Sequence, residues 1–390
     1  MRKILRLRLR MTRLRLRMTR LRLRMTRLRL RMTKLRLRMT YPVILSCEAA
    51  KDLQTLEEKE QNMKRVVITG PTGAIGRALI NEALGKDYEV LAIVHRESKR
   101  ADQLGGIPRC QVLRMDLSEY HNAMDILKEQ GIRWEASDAL DPETFFFHLA
   151  WDASYGEGRN DIHYQMQNVN AALEAVTFAK NLGCSTFVGA GSQAEYGRIE
   201  QHAGAELREL RLRPDTPTNP ETGYGNAKLC AGHLTRYFAE QEGMRHIWVR
   251  VLSVYGPYDR EETMISTAVR RMLQKEDTEF SPCEQIWDYL YSEDAARALL
   301  LSAEKGVDGK TYVLGSGEAH SLRWYVEQVA EITGYEKEIG FGKRPYNEDQ
   351  VMHMVADITE LSKDTGFVPE FTFDQGIRRL VQRYQINTTF

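Results

Sequence analysis

From residue 63 onward the hydrophobic positions fall into two alternating kinds of run. Short, continuous apolar stretches occur at 65–69, 90–94, 111–115, 145–149, 186–190 and 246–252. Between them, apolar residues recur at helical spacing, most clearly over 74–84, 164–182 and 224–242. Strands that are apolar on every position must be covered on both faces, and helices between them provide the cover. The pattern predicts an α/β protein with a doubly wound parallel sheet. After Leu252 the regularity breaks, and helical periods at 262–274, 292–303, 321–333 and 373–384 stand among short strands and loops. This predicts one doubly wound α/β domain over 63–252 and a smaller α/β lobe over 253–390, with segments returning to the first domain.

The first 40 residues follow another rule. Met-Thr-Arg-Leu-Arg-Leu-Arg begins at Met11, Met18 and Met25, and returns at Met32 with Lys34 in place of arginine. As a helix, Met18, Leu21, Met25 and Leu28 form an apolar stripe; as a strand, the Leu-Arg alternation works equally well. A sequence that suits both and carries no caps or turns predicts low-complexity extension rather than core. A basic arm for membrane or RNA is the functional alternative. Residues 41–62 read as a linker, and Met63, directly before the first buried strand, reads as a natural start.

The formal net charge of +1 conceals this asymmetry. Residues 1–40 hold 17 Lys and Arg and no acid, leaving 38 basic against 54 acidic side chains in the rest. An acidic body predicts no nucleic-acid partner there. Cys47, Cys110, Cys184, Cys230 and Cys283 form no Cys-x-x-Cys pair and suit neither a zinc site nor a disulfide framework, which predicts no metal and a reduced, cytoplasmic setting. No apolar run is long enough to cross a membrane.

The chemistry begins at the first strand. Val66-Val67-Ile68-Thr69 runs into Gly70-Pro71-Thr72-Gly73-Ala74-Ile75-Gly76 and then a helix. Glycines permit a tight turn and close approach of a pyrophosphate, and the helix N-terminus offers free N–H groups. A dinucleotide is therefore expected on Gly70, Thr72, Gly73, Ala74, Ile75 and Gly76. An acid at the end of the second strand would take the ribose 2′-hydroxyl, and an arginine a 2′-phosphate. Here Val94 is followed by His95 and Arg96, so NADP is favoured over NAD, with Glu97 as the opposing feature. Asp116, at the end of the third strand, either meets the adenine or caps the next segment. Tyr224 and Lys228 stand four apart on a predicted helix and so face the same way. An ammonium beside a phenol favours the phenolate, so Tyr224 is expected to exchange a proton with a substrate hydroxyl. Ser192 ends an apolar strand, at the edge where open α/β sheets hold ligands.

The glycine loop, Asp116, His148-Leu149-Ala150, Asn168-Val169-Asn170, Ser192, Tyr224 with Lys228, and Tyr255-Gly256-Pro257 together resemble the extended short-chain dehydrogenase/reductases that modify nucleotide sugars. The resemblance runs from Met63 to about residue 385 and implies a Rossmann NAD(P)-binding domain over 63–252 with a mainly substrate-binding lobe over 253–390. It implies that Ser192, Tyr224 and Lys228 are catalytic, that Leu117, Leu149 and Ala150 join Tyr224 and Lys228 at the cofactor, and that a homodimer forms through two helices of each subunit. It implies a nucleotide-diphosphate sugar as substrate, with Asn168, Ser253, Arg271 and Trp287 as candidate contacts. Trp287 stands where the family often has a phosphate-binding arginine; the alternatives are Arg270 or Arg271 as substitute, Trp287 stacked on a sugar or base, or Trp287 as a core residue.

In Gly191-Ser192-Gln193-Ala194-Glu195-Tyr196-Gly197, an amide and a methyl occupy the two positions that resemble the acidic pair of the 4,6-dehydratases. Neither does acid–base work at neutral pH, so dehydration is set aside. Glu195 before Tyr-Gly looks more like the 4-keto-6-deoxy-hexose reductases. A 4-ketoreductase is the expectation, with an NAD-holding 4-epimerase as alternative. An NADP-sensing regulatory protein is the alternative of another class. His148 is expected as a buried structural histidine, Asp288 and Asp294 as caps or ion-pair partners near a helix start, and Arg250 as a surface or lobe-bridging ion-pair residue.

Overall fold

The computed structural model of the protein describes residues 64–134, 139–199 and 210–388. The heptad repeat, the linker and Met63 lie outside the described residues.

In chain order the elements are β1 (Arg65–Thr69), α1 (Ala74–Gly85), β2 (Glu89–Val94), β3 (Cys110–Arg114), α2 (Ala123–Glu129), β4 (Asp141–His148), α3 (Ile162–Asn181), β5 (Cys184–Ser192), α4 (Gly223–Gln241), β6 (Arg245–Val251) and β7 (Ser253–Tyr255). They continue with α5 (Met264–Leu273), β8 (Ile286–Trp287), β9 (Tyr289–Tyr291), α6 (Ser292–Lys305), β10 (Thr311–Leu314), β11 (His320–Ser321), α7 (Leu322–Thr333), β12 (His353–Met354), α8 (Thr359–Thr365) and α9 (Phe373–Thr388). Short 3-10 turns, among them Leu117–Asn122, Glu157–Arg159 and Gln193–Glu195, follow β3, β4 and β5.

Seven strands form one parallel sheet in the order β10-β6-β5-β4-β1-β2-β3. The period of two explains the continuous apolar runs. In β1, Val66 and Ile68 join a core under α1 and α6, while Val67 between them joins the opposite core under α2 and α3. The order reverses at β1, whose neighbours are β2 on one side and β4 on the other, and a crevice opens there at the carboxyl ends. The six predicted strands are all present. The seventh, β10, is a four-residue apolar run inside the irregular region; only its pairing with β6 reveals it. Around Tyr255, Ile265, Val269, Tyr325, Phe373 and Ile377, the helices α5, α7 and α9 build a separate core. Two small sheets, β11-β8-β12 and β7-β9, accompany it. Among the described residues no helix is long and apolar enough to cross a membrane.

Arg250 is an ion-pair residue, as expected, but it is buried and not at the surface. It is 7% exposed, and its Nε donates to Glu195 Oε2 at 2.7 Å. Its Nη1 donates to the Tyr196 hydroxyl and to Pro214 O. It occupies an inward position of β6, where a guanidinium persists only with its donors satisfied.

Candidate active site

The glycine loop does three separate jobs. Gly70 has φ +67°, and a Cβ there would meet Ala150 N at 3.0 Å, so the turn lies directly on the end of β4. At Gly76 a Cβ would lie 2.3 Å from Gly70 O, which is helix–strand packing. At Gly73 a Cβ would find only Gly70 O, at 3.9 Å, so the space in front of the α1 N-terminus is open. Thr69 Oγ1 fastens the two strand ends by accepting from Leu149 N and Ala150 N, each at 3.0 Å. Beyond them a cavity of about 600 Å3 is walled by His95, Asp116, Leu117, Asp152, Tyr164 and Asn168. A dinucleotide fits these features: the pyrophosphate at the open Gly73 cradle, the adenosine towards Asp116 and Leu117.

At that end of the site Arg96 is not free. Its Nε and Nη2 donate to the two carboxylate oxygens of Glu119, at 2.6 and 2.7 Å. Glu119 also accepts from Asp116 N at 2.9 Å, and Asp116 Oδ1 accepts from Arg96 N at 2.9 Å. The Arg96 guanidinium holds the Glu119 carboxyl below its ordinary range. The arginine that favoured NADP therefore already has an anion, supplied by a residue that no strand-end rule would pick out.

Ser192, Tyr224 and Lys228 converge at the carboxyl end of β5. The α4 helix starts there because Thr222 caps it, its hydroxyl accepting from Gly225 N at 3.0 Å. Gly225 lets the first turn press onto the Ser192 turn, since a Cβ would lie 2.3 Å from Ala194 O. Beneath, Glu195 is fully buried and accepts from Ser192 N at 2.8 Å, from Trp248 Nε1 at 3.0 Å and from Arg250. The Trp248 indole lies against Gly189, Gly191 and Gly232, where any Cβ would come within 2.8 Å of it. Glu195 thus faces away from Tyr224 and braces the turn that presents Ser192. The Ser192 hydroxyl donates to Gln193 Oε1 and accepts from Ala194 N.

Lys228 is 3% exposed; its Nζ donates to Ala190 O at 2.6 Å and lies 3.9 Å from the centre of the Trp151 ring. Burial pulls its pKa down to about 7, against the opposing charge of Glu195. The Tyr224 phenol is pushed up to about 12 by burial, which outweighs the Ser192 hydrogen bond and the charge of Arg159. The expected depression by Lys228 is therefore absent here. The ammonium is 5.8 Å from the Tyr224 ring centre and is itself desolvated. Arg159 is closer, its guanidinium 4.4 Å from that centre.

The substrate candidates scatter. Asn168 is buried and spends its amide on the Asp152 backbone, accepting from Asp152 N at 2.9 Å and donating to Asp152 O at 3.0 Å. Trp287 Nε1 donates to Ser253 Oγ at 2.8 Å, so two candidates are each other's partner. Arg271 donates to Asp277 O at 3.0 Å and lies 3.8 Å from Glu276, at the end of its own helix. Asp288 is no cap: it accepts from Ser316 N, Gly317 N and Ala356 N, tying loops together. Asp294 instead pairs with Arg297 and accepts from Glu370 N and Phe371 N. His148 is buried, 3.3 Å from Thr69 Oγ1, and burial pulls its pKa down to about 3, so it stays neutral. Among the described residues no group of three or more His, Cys, Asp or Glu side chains could hold a metal ion.

Comparison with known proteins now places the chain. Residues 66–315 match the NAD dependent epimerase/dehydratase family, and the protein belongs to it. It is 30% identical over 181 residues to the dTDP-glucose 4,6-dehydratase of Shigella flexneri, covering 44% of this chain and 49% of that protein, so the chain spans about half the length of such curated relatives. The UDP-glucose 4-epimerase of Thermotoga maritima, solved with UDP-glucose, superposes with a TM-score of 0.68 at 20% identity, over 83% of this chain and 99% of that one. RMD from Pseudomonas aeruginosa, solved with NADPH, gives 0.65 at 22% identity, over 83% and 100%. At these identities the structural likeness is one of fold. The family model is one of NAD-dependent epimerases and dehydratases.

Proposed function

We propose that the protein interconverts a hydroxyl and a carbonyl on a sugar carbon, most plainly C4 of a nucleotide-diphosphate hexose. The observation that carries this reading is the meeting of Ser192, Tyr224 and Lys228 at the carboxyl edge of the sheet whose first strand leads into the open Gly73 cradle. When bound, the nicotinamide supplies or takes the hydride. Tyr224 passes the proton at the substrate oxygen, Ser192 hydrogen-bonds that oxygen, and Lys228, held by Ala190 O and Trp151, fixes the floor of the site.

The 4-ketoreductase expectation rested on Arg96 and Glu195. Arg96 is occupied by Glu119, and Glu195 is buried under Ser192. Both observations favour NAD over NADP and a 4-epimerase over a reductase. The reductase is the second reading, carried by the position of Arg96 at the exit of β2. Elimination of water is disfavoured because Gln193 and Ala194 bring no carboxylate to the Ser192 turn and Glu195 points away. Exposed Ile162 and Met166 on α3, with Leu234 and Tyr237 on α4, support a homodimer through those helices. A cytosolic setting suits the free thiols of Cys110, Cys184, Cys230 and Cys283.

The test is turnover of UDP- and dTDP-linked hexoses, with mass spectrometry of any retained dinucleotide. Tyr224→Phe is expected to lose at least about 100-fold in rate and to keep its cofactor. Net consumption of NADPH restores the reductase, and a keto-deoxy sugar product restores the dehydratase. Unchanged biological activity in Tyr224→Phe turns the reading towards a dinucleotide sensor.

A further inference from the structure

The segment between β4 and α3 carries Arg159, which neither a periodicity nor a motif marks. Its guanidinium lies over the Tyr224 ring at 4.4 Å and 6.0 Å from the ring centre of Tyr155. Arg260 stands 4.3 Å from the same Tyr155 ring centre. Two arginines and two tyrosines thus cluster around the proposed catalytic phenol. Arg159 Nη1 donates to Ser154 O, and among the described residues no carboxylate lies within ion-pair distance of its guanidinium. The other groups that act electrostatically on Tyr224 are Tyr155 from the same segment, Ser192 and, from beneath it, Glu195 of the turn after β5, with Lys228 on its own helix.

Lys228 cannot be the whole source of positive charge here. Its amine is buried and, with a pKa of about 7, largely neutral through the mildly alkaline range. A guanidinium does not titrate in that range. It also lies closer to the ring, where a cation favours the phenolate over the phenol.

We propose that Arg159 is a second, permanently charged cation of the catalytic group, which stabilises the Tyr224 phenolate and sets the pH at which Tyr224 releases its proton. This rests on the reading of Tyr224 as the proton-transfer residue. Lys228 is left mainly with the β5 strand end and the cofactor side of the site. Arg159 acts on the substrate through Tyr224 and is a positioning residue in that sense.

The experiment incorporates 3-fluorotyrosine into the full chain, with NAD present, and follows the Tyr224 fluorine resonance against pH. The fluorinated ring titrates earlier than tyrosine, in a range the fold tolerates, and Tyr224→Phe assigns the signal. Arg159→Gln is expected to raise the midpoint by about one pH unit, whereas Arg159→Lys, which keeps a charge, stays near the wild type. An unchanged midpoint in Arg159→Gln overturns the proposal. So does an equal rise in both variants, which would make packing and not charge the cause. Arg159 is only half-buried and lies outside the three main cores, so both variants are expected to keep the fold, which circular dichroism checks. If the wild type binds no nicotinamide dinucleotide, the proposed function fails, while titration of the unliganded protein still decides the role of Arg159.

Discussion

Lys228 combines a buried position with a charge the fold disfavours, and that has a thermodynamic consequence. Its pKa falls from 10.5 to about 7 on folding, because the ammonium loses its water. Between those two values the unfolded chain holds a proton that the folded chain does not. Stability from this group therefore rises with pH across that window, and the penalty is complete below about pH 7. Lys228→Met has no such slope. Its stability relative to the wild type should grow by roughly 1.4 kcal/mol for each pH unit descended inside the window. Urea unfolding of both proteins at pH 7 and pH 9.5 measures this, and a pH-independent gap would refute the buried, depressed amine. At the ribose end, Glu119→Gln weakens the anion that holds Arg96. Its preference should move towards NADP by about 10-fold or more, which is about 1.4 kcal/mol. Titration calorimetry with both dinucleotides reads this ratio, and an unaltered ratio would remove Glu119 from cofactor selection.

At the scale of elements, the β1–α1 unit shows that three glycines in one motif answer to different forces. Gly73→Ala meets only open space in the protein, so thermal stability should stay within about 0.5 kcal/mol of the wild type. The added methyl projects into the cradle, so dinucleotide affinity should fall about 10-fold or more. Gly76→Ala drives a methyl against Gly70 O and should destabilise the fold by about 1–3 kcal/mol or more. Equal stability losses in the two variants would mean that Gly73 packs against protein and not against a ligand. Much of this unit was legible in advance: β1, α1 and the loop between them follow from local periodicity and from the restricted uses of glycine. The brace beneath Ser192 was not. Glu195, Trp248 and Arg250 lie on two separate segments, and nothing local reveals that a carboxylate on one closes three donors. The same holds for Glu119 and Arg159, which stand in short turns without periodicity.

At the scale of the molecule, the site lies where β1 and β4 separate, and the post-252 region contributes to both the main sheet and its own core. Exposed Met166 and Tyr237 lie on α3 and α4, which pack against each other. Water excluded from such side chains favours association. Light scattering should find a dimer in the wild type and a shift to monomer in Met166→Glu/Tyr237→Glu. A monomeric wild type at micromolar concentration would exclude this surface. By itself the sequence determined the α/β class, six of the seven main strands, the glycine turn after β1 and the positions of Ser192, Tyr224 and Lys228. These depend on backbone geometry and on spacing along single elements. Only the tertiary structure decided that Arg96 is already paired, that Glu195 braces rather than reacts, and that Arg159 is the nearer cation to Tyr224. Burial and long-range pairing fix a side chain's charge and partner, and neither is a property of local sequence.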